Sequence, residues 1–246
     1  MTALTAALDR ATAMQLAATE YRRCADLLAS LDDREWSTPT ECPGWDVRQM
    51  AAHMLGMVEM AASMREGMRQ SKAATVDGAF DIDVLTALQV RERADWCGAR
   101  IADEYAQRSP AAVKGRRRTP WFIRRRSIPP MVINGSPEVW TMGFLFDVIL
   151  TRDPWMHRMD ISRVLDRAPL LTADHDGVLV ADVVAEWSRR HGKDYTLHLT
   201  GPAGGSWTVG ANGPHIELDA VEFCRVLSKR PGGATLDAVL STEVPF

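Results

Sequence analysis

Apolar residues recur at steps of three and four along the N-terminal part of the chain, which is the spacing of helices that bury one face. This spacing predicts helices over residues 2–30, over about two dozen residues after Asp46, over about 81–107 and over 138–165. Asp46 and Gln49 add the spacing of a capping box, in which each side chain bonds to the backbone N–H of the other residue. Four helices of similar length indicate a helical bundle.

The remaining segments follow other patterns. Prolines, glycines and arginines crowd residues 108–137, where we expect a surface loop with short pieces of structure. Beyond Ala168 a helix over 174–191 precedes three short alternating runs, TLHLT, SWTVG and HIELD, which we expect as three antiparallel strands before a closing helix over 220–228.

The predicted fold class is therefore mainly α, with two domains. A four-helix bundle over residues 1–168 is followed by a small α+β domain over residues 169–246.

The composition is that of a folded globular protein. The chain has 246 residues, of which 46% are hydrophobic and 25% charged, and its net charge of −3 gives the whole molecule no attraction to nucleic acid or anionic membranes. No apolar run approaches the roughly 20 residues of a membrane span, and charges interrupt the N-terminal MTALTAALDRATAMQ where a signal peptide would be apolar. We expect a cytoplasmic protein without a membrane partner.

Three polar residues fall on predicted inward faces. His53 lies on the apolar stripe of the second helix, one turn from Met50 and Met57, while Asp153 and His157 are one turn apart on the stripe of the fourth. A buried carboxylate and imidazole need partners, because an unpaired buried charge is strongly destabilising. Two imidazoles and a carboxylate with an open fourth position form a recurring zinc shell, so the spacing indicates a divalent metal site, with zinc as the expected ion.

Two other interpretations stay open from the residues alone. A single histidine on an apolar face is more often a hydrogen-bonded core residue than a ligand. Asp153-Pro154 also fits a helix start, with the aspartate as N-cap and the proline in the first helical position. The apolar stripe passes this point without a change of phase, which favours one helix kinked at Pro154.

Two segments carry a resemblance to a known family. ECPGWDVRQMAAHMLGMVE resembles the N-terminal domain of the mycothiol-dependent maleylpyruvate isomerase family, in the wider DinB-like superfamily, and TRDPWMHRMDISRVL resembles the family's second motif. LTGPAGGSWTVG and FCRVLSKR are similar to the small α+β domain that often follows. The resemblance covers nearly the whole chain and implies a DinB-like bundle that binds a metal.

The resemblance also implies a ligand set and a chemistry. Its metal ligands would be His53, His157 and Asp153, the last at a position where the family usually has glutamate; aspartate is one methylene shorter, and Pro154 is a second departure. The implied cofactor is mycothiol, whose thiol would lose its proton on coordination and add to a small electrophilic substrate. The thiol leaves again in an isomerase, whereas the adduct is the product of an S-transferase. The residues leave open which of these two reactions applies, which electrophile is the substrate, which metal is bound and whether the chain forms oligomers.

Other candidates rest on weaker signals. Asp160 could orient a metal ligand, although a surface helix position or a pairing with the neighbouring Arg158 is the commoner arrangement. Arg225 and Arg230 could bind a carboxylate of cofactor or substrate, although exposed arginines are common.

The four cysteines are scattered without a CxxC pair, which predicts reduced thiols. Cys42 is a possible nucleophile, but no histidine or lysine near it in sequence would lower its pKa, so a structural role in the Pro-Gly turn is favoured.

Two alternative functions remain. KGRRRTPWFIRRR, residues 114–126, has the composition of a nucleic-acid patch, although a solvated loop or a lip that attracts an anionic substrate is favoured in a net negative chain. The bundle could also bind a metal or ligand without catalysis.

Overall fold

The computed structural model describes residues 3–230 and 239–246. The chain forms two compact units, the first comprising Met1–Pro130 and Val139–Ala168 and the second comprising Met131–Glu138 and Pro169–Phe246. Residues 131–138 thus group with the second unit rather than with the first predicted domain. Within that unit, the side-chain amide of Asn134 donates to the backbone oxygen of Glu243 and its oxygen accepts from the Glu243 N–H, at 3.0 and 2.7 Å. The predicted division into two domains itself stays a prediction.

The first unit is helical. Its elements are α1 (Arg10–Ala29), a 3₁₀ turn (Glu35–Ser37), α2 (Val47–Ala62), α3 (Met64–Ala73), β1 (Thr75–Val76), β2 (Ala79–Phe80), α4 (Ile82–Arg91), α5 (Gly98–Arg118), α6 (Trp121–Arg124), and, after the residues of the second unit, α7 (Met142–Phe144), a π-helical segment (Leu145–Ile149) and α8 (Leu150–Val164).

Helices α1, α2, α5 and α8 pack against one another as the predicted bundle. All four contribute to one apolar core, whose buried members include Tyr21, Leu28, Met50, Leu55, Ile101, Tyr105, Leu150 and Ile161. Together with the sheet described below, this confirms the predicted fold class: mainly α, with a small C-terminal sheet.

Capping residues set the helix boundaries and correct several predicted ones. Helix α1 begins at residue 10 rather than 2, because the Asp9 side chain accepts from two first-turn N–H groups. The capping box of Asp46 and Gln49 is present as predicted. The following helix is shorter than predicted, because Ser63 adopts extended backbone, ends α2 and caps α3. The predicted third helix is likewise divided, between residues 91 and 98, into α4 and α5.

The largest correction concerns α5, which continues through Pro110 to Arg118 where a loop was expected. A proline inside a helix costs about 3 kcal/mol. The inward face of α5 carries fully buried Ile101, Tyr105 and Ala112, and burying a large apolar side chain contributes about 1.5–3 kcal/mol. Packing on both sides of the proline therefore outweighs the lost hydrogen bond.

The second unit combines a hairpin, two helices and a three-stranded sheet. Its elements are β3 (Met131–Ile133), β4 (Ser136–Glu138), α9 (Asp176–His191), β5 (Tyr195–Thr200), β6 (Gly205–Val209), β7 (His215–Asp219) and α10 (Ala220–Leu227).

The sheet differs from the predicted one in its pairing. Strand β5 is central, antiparallel to β6 through Leu197 opposite Trp207, and parallel to β7 through Leu197 opposite Ile216. The expectation of three antiparallel strands was wrong for β7, because that strand joins the far side of β5 instead of continuing beside β6. The buried residues of β5, Tyr195, Leu197 and Leu199, alternate as a strand with one packed face requires.

Within the described ranges, no helix is both long enough and apolar enough to cross a lipid bilayer.

Candidate metal centre

His53 lies in the middle of α2 and points into the bundle. Its neighbours on the helix, from Met50 to Leu55, are buried, and His53 itself is 4% exposed. The indole of Trp45, in the loop that precedes α2, lies with its ring centroid 5.4 Å from the imidazole. Since Asp46 fixes the first turn of α2, the Cys-Pro-Gly-Trp loop and the histidine are held by the same capping interaction.

Helix α8 brings Asp153 and His157 to the same place. Nε2 of His53 and Nε2 of His157 lie 3.5 and 3.4 Å from one oxygen of Asp153, Oδ1. The two imidazole rings are perpendicular, with centroids 5.3 Å apart. One potential ligand atom from each residue lies within 4.8 Å of the others. The structure thus brings together the three residues that the sequence proposed as ligands, and their role as ligands stays a prediction.

Asp153 and Pro154 are internal to α8, which excludes the alternative of an N-cap at this point. The proline has no N–H to donate to the carbonyl of Leu150, four residues earlier. That carbonyl instead accepts from Arg116, at 2.9 Å, and from the hydroxyl of Tyr21, at 3.2 Å. The fully buried guanidinium of Arg116 thereby replaces the bond that the proline removes.

Arg116 also stabilises the π-helical segment that precedes α8. Its Nε donates to the carbonyl of Phe146 at 2.7 Å, and its other terminal nitrogen donates to the hydroxyl of Thr151 at 2.6 Å. A π-helical turn shifts the i→i−4 ladder and frees carbonyls from it. One arginine from α5 therefore satisfies the irregular turns that lead into Asp153.

The centre is strongly polarised. Burial raises the pKa of Asp153, but His157 and His53 outweigh this effect and hold that pKa below its usual range. Burial lowers the pKa of His157, but the carboxylates of Asp153 and Asp160 outweigh it and raise the value to about 9. The second oxygen of Asp153, Oδ2, is buried without a hydrogen-bond partner. Such an orphaned carboxylate oxygen beside two imidazoles fits a divalent cation, which these three residues could hold with nitrogen and oxygen ligands.

Asp160 lies on the same buried side of α8 as His157, so the expectation of a surface position was wrong. It has no exposed surface, and its Oδ2 is 3.4 Å from Nδ1 of His157. Helical spacing explains this contact, since residues three apart share a face. A carboxylate in this place can fix the orientation of a ligating imidazole.

Cys42 also lies near the centre, although no histidine is close to it in the sequence. Its Sγ, a ring nitrogen of His157 and a carboxylate oxygen of Asp160 form a second group within 4.8 Å of one another. The separation of 115 positions between Cys42 and His157 explains why local sequence could not reveal it. In the described part of the chain none of the four cysteines forms a disulfide, in agreement with the predicted reduced thiols.

One contact of the centre was missed from the sequence. Oε1 of Gln89, in α4, lies 2.7 Å from Nδ1 of His53. Gln89 is fully buried beside Leu85 and Leu88. A polar residue on the inward stripe of a helix was the available signal, because such a residue needs a buried partner.

The remaining candidates, Arg225 and Arg230, belong to the second unit. Arg225 is in α10 of the second unit and is 2% exposed, contrary to the exposed position considered for it, with its Nε 3.4 Å from Glu222. Arg230 follows the same helix and is half-buried. A carboxylate-binding role for either arginine stays a prediction.

The basic segment 114–126 exposes less positive charge for binding anions than its composition suggests. Arg116 is buried, and Arg124 forms an ion pair with the buried Asp147. Trp121 and Phe122 are exposed, with Arg125 over the Trp121 ring. Part of the positive charge therefore serves the fold rather than a surface for anions.

Comparison with known proteins places this chain in a family. The family described as the mycothiol maleylpyruvate isomerase N-terminal domain matches residues 17–162. A crystal structure of the mycothiol-dependent maleylpyruvate isomerase is 13% identical, with a TM-score of 0.60 and 98% of each chain covered. A crystal structure of a histidine-to-alanine variant of such an enzyme is 12% identical, with a TM-score of 0.55 and the same coverage. No curated protein matches the chain.

At such low identity the structural likeness shows the fold, which agrees with the resemblance noted in the sequence. The family match spans more than half of the chain and includes all three residues of the candidate metal centre, so it shows the family as well as the fold. The chain belongs to the mycothiol maleylpyruvate isomerase N-terminal domain family.

Proposed function

We propose that this protein is a metal-dependent enzyme that uses mycothiol to isomerise a small electrophilic substrate, with His53, Asp153 and His157 as the metal ligands. One observation carries the proposal: two imidazole Nε2 atoms converge on a single oxygen of Asp153, whose other oxygen is buried and orphaned. Membership of the family and the solved isomerase structures support the choice of thiol and of reaction class.

The residues of the centre have distinct parts in this function. His53 and His157 supply nitrogen ligands from different helices, and Asp153 supplies a negative charge that offsets part of the positive charge of a divalent cation. The donor set of two imidazoles and one carboxylate favours zinc as the divalent cation. Bound there, it would act as a Lewis acid and lower the pKa of a thiol that coordinates it. Asp160 holds His157 in orientation, and the buried setting limits competition by water.

The aspartate fits the site in spite of its short side chain. It lies within helix α8 and reaches both imidazoles, at 3.5 and 3.4 Å, so the centre closes without the extra methylene of glutamate. The carbonyl freed by Pro154 is satisfied by Arg116, so the proline does not leave an unpaired group under the centre. Both departures from the family pattern are therefore compatible with the same ligand set.

The test measures metal content and turnover together. Purified protein is analysed for zinc, nickel and other divalent ions, and assayed with mycothiol and a panel of electrophiles that includes maleylpyruvate, with and without a chelator. We expect about one zinc per chain and chelator-sensitive isomerisation, as a single three-residue site implies. His53→Ala and His157→Ala should lose both.

His198→Ala is the matched control, because this exposed histidine of β5 lies in the second unit and bonds to Ser206. It should keep the metal. Undiminished metal in His53→Ala and His157→Ala would refute the site, and metal without turnover of any tested electrophile would refute the catalytic part of the proposal.

A further inference from the structure

Two buried amides connect His53 to the surface of the first unit. Beyond the 2.7 Å contact of Nδ1 of His53 with Oε1 of Gln89, Nε2 of Gln89 donates to Oε1 of Gln70 at 2.8 Å. Nε2 of Gln70 donates to Oε1 of Glu66 at 2.8 Å, and both oxygens of Glu66 accept from Arg69. We name the side chains of Gln89, Gln70 and Glu66 the amide relay.

The relay is built into the fold rather than formed by chance at a surface. Gln70 and Gln89 have no exposed surface, and a buried amide is destabilising unless its donors and acceptor are bonded. The second N–H of Gln70 reaches the carbonyl of Gly56 at 3.4 Å. The second N–H of Gln89 faces the sulfur atoms of Met57 and Met60, each at 3.4 Å.

Gly56 on helix α2 leaves the space that the side chain of Gln89 occupies. A Cβ atom on Gly56 would lie 2.5 Å from Cγ and 2.8 Å from Cβ of Gln89, closer than any side chain tolerates. Gly56 is three residues after His53 on α2, so the same helix that carries the imidazole also makes room for its partner. The absence of a side chain at position 56 is therefore a requirement of the contact.

The Glu66 carboxylate sets the direction of every bond in the relay. A carboxylate only accepts hydrogen bonds, so Gln70 must turn its NH₂ group toward Glu66 and its oxygen toward Gln89. Gln89 must then turn its NH₂ group toward Gln70 and its oxygen toward His53. Bonding to Arg69 outweighs partial burial and holds the pKa of Glu66 at about 2, so the acceptor end persists at neutral pH.

We propose that the amide relay fixes Gln89 as the hydrogen-bond acceptor of Nδ1–H of His53 and so holds Nε2 of this ring toward the metal centre. The relevance of this Nε2 to metal binding rests on the function proposed above. Nε2 lies 3.5 Å from Oδ1 of Asp153, so a cation held between the two side chains would be ligated by both atoms. Gln89 is therefore a positioning residue, as carboxylates and amides that hold a ligating imidazole often are.

The proton position is tested first, on metal-free wild-type protein at mildly alkaline pH. Proton–nitrogen correlation spectra of the imidazole side chains, with His53→Asn to assign the signals, show which nitrogen carries the proton. We expect the proton on Nδ1 of His53. In Gln89→Leu, which removes the acceptor, we expect it to move to Nε2, facing Asp153. A wild-type proton on Nε2 would overturn the proposal.

The second measurement is the affinity for Zn²⁺ alone, by competition with a chromophoric chelator. Gln89→Leu should weaken zinc binding by about 10- to 100-fold, the usual loss when the partner of a ligating histidine is removed. Gln89→Glu keeps an acceptor for Nδ1–H and should restore most of the affinity. A role limited to packing would predict the opposite, because a buried carboxylate is harder to accommodate than leucine.

Ser109→Ala is the matched control, since Ser109 is buried in α5 of the same unit and bonds to the Tyr105 carbonyl. It should change stability without changing zinc affinity. Wild-type protein that binds no zinc would contradict the proposed function, whereas zinc binding equal in wild type and Gln89→Leu would overturn the relay alone.

Discussion

The guanidinium of Arg116 donates a hydrogen bond of 2.9 Å to the backbone carbonyl of Leu150. This carbonyl lies four residues before Pro154, which has no N–H to donate the usual helical hydrogen bond to it. Arg116 comes from a run of basic residues that suggests a surface, yet it is 1% exposed. The contact couples the end of α5 to the turn of α8 that carries Asp153, so a residue distant in sequence from the metal centre supports its geometry.

Replacing this arginine should be strongly destabilising. Arg116→Met removes the guanidinium while keeping an unbranched side chain, and it leaves the carbonyls of Phe146 and Leu150 with fewer donors. Buried groups left without partners cost about 1–3 kcal/mol each, so we expect the free energy of unfolding to fall by about 3 kcal/mol. Urea unfolding followed by circular dichroism measures the change.

Arg117→Met provides the control, because Arg117 is exposed in the same last turn of α5. It should alter stability by less than about 0.5 kcal/mol. Equal effects of the two substitutions would show that the buried hydrogen bonds contribute little.

Asp160 should matter for metal binding without touching the metal. Asp160→Asn keeps the shape of the side chain but removes the charge that faces Nδ1 of His157 at 3.4 Å. Loss of such a partner weakens metal affinity by about 10- to 100-fold, and we expect this range for Zn²⁺. Chelator competition measures it, with Asp103→Asn, an exposed position of α5, as the control. An affinity within twofold of wild type would contradict this role.

The parts of the structure that depend on local chemistry could be predicted. The Asp46 capping box starts α2, and it places His53 on the inward face of that helix. The spacing of Asp153 and His157 puts both on one face of α8. These features follow from side chains within one or two turns, so the sequence contains all the information they need.

The parts that depend on distant partners could not be predicted. Helix α5 passes through Pro110 because its inward face is buried on both sides of that residue, a fact of the bundle and not of the segment. The parallel pairing of β7 with β5 depends on which edge of β5 is available. Gln89 and His53 are 36 positions apart, and only packing of α4 on α2 joins them.

The acid sensitivity of the first unit should depend in part on Glu66. Bonding to Arg69 lowers the folded pKa of this group from 4.5 to about 2, with Arg93 adding to the effect. A lowered folded pKa contributes stability that is fully present above about pH 4.5 and is lost as the pH falls toward about 2. Glu66→Gln should therefore reduce the loss of stability in this window. Urea midpoints measured against pH report the difference.

Glu217→Gln is the control for removal of a charge, because Glu217 is exposed on β7 in the second unit. The urea midpoints of this variant should depend on pH in the same way as those of the wild-type protein. If Glu66→Gln also follows the wild-type pH dependence between about pH 4.5 and 2, the Arg69 contact does not stabilise the fold.

Replacing Gly98 and Gly177 with alanine should change the free energy of unfolding in opposite directions. Gly98 begins α5 beneath the buried ring of Trp36, and a Cβ there would lie closer than 3.0 Å to that ring. Gly98→Ala should lower the free energy of unfolding by about 1–3 kcal/mol, the usual cost of overpacking. A Cβ on Gly177, in α9, would meet its neighbours at an ordinary 3.8 Å, so Gly177→Ala should add about 0.5 kcal/mol through the higher helix propensity of alanine. Thermal unfolding of both variants compares them, and a stabilised Gly98→Ala would mean that Trp36 can move away at little cost.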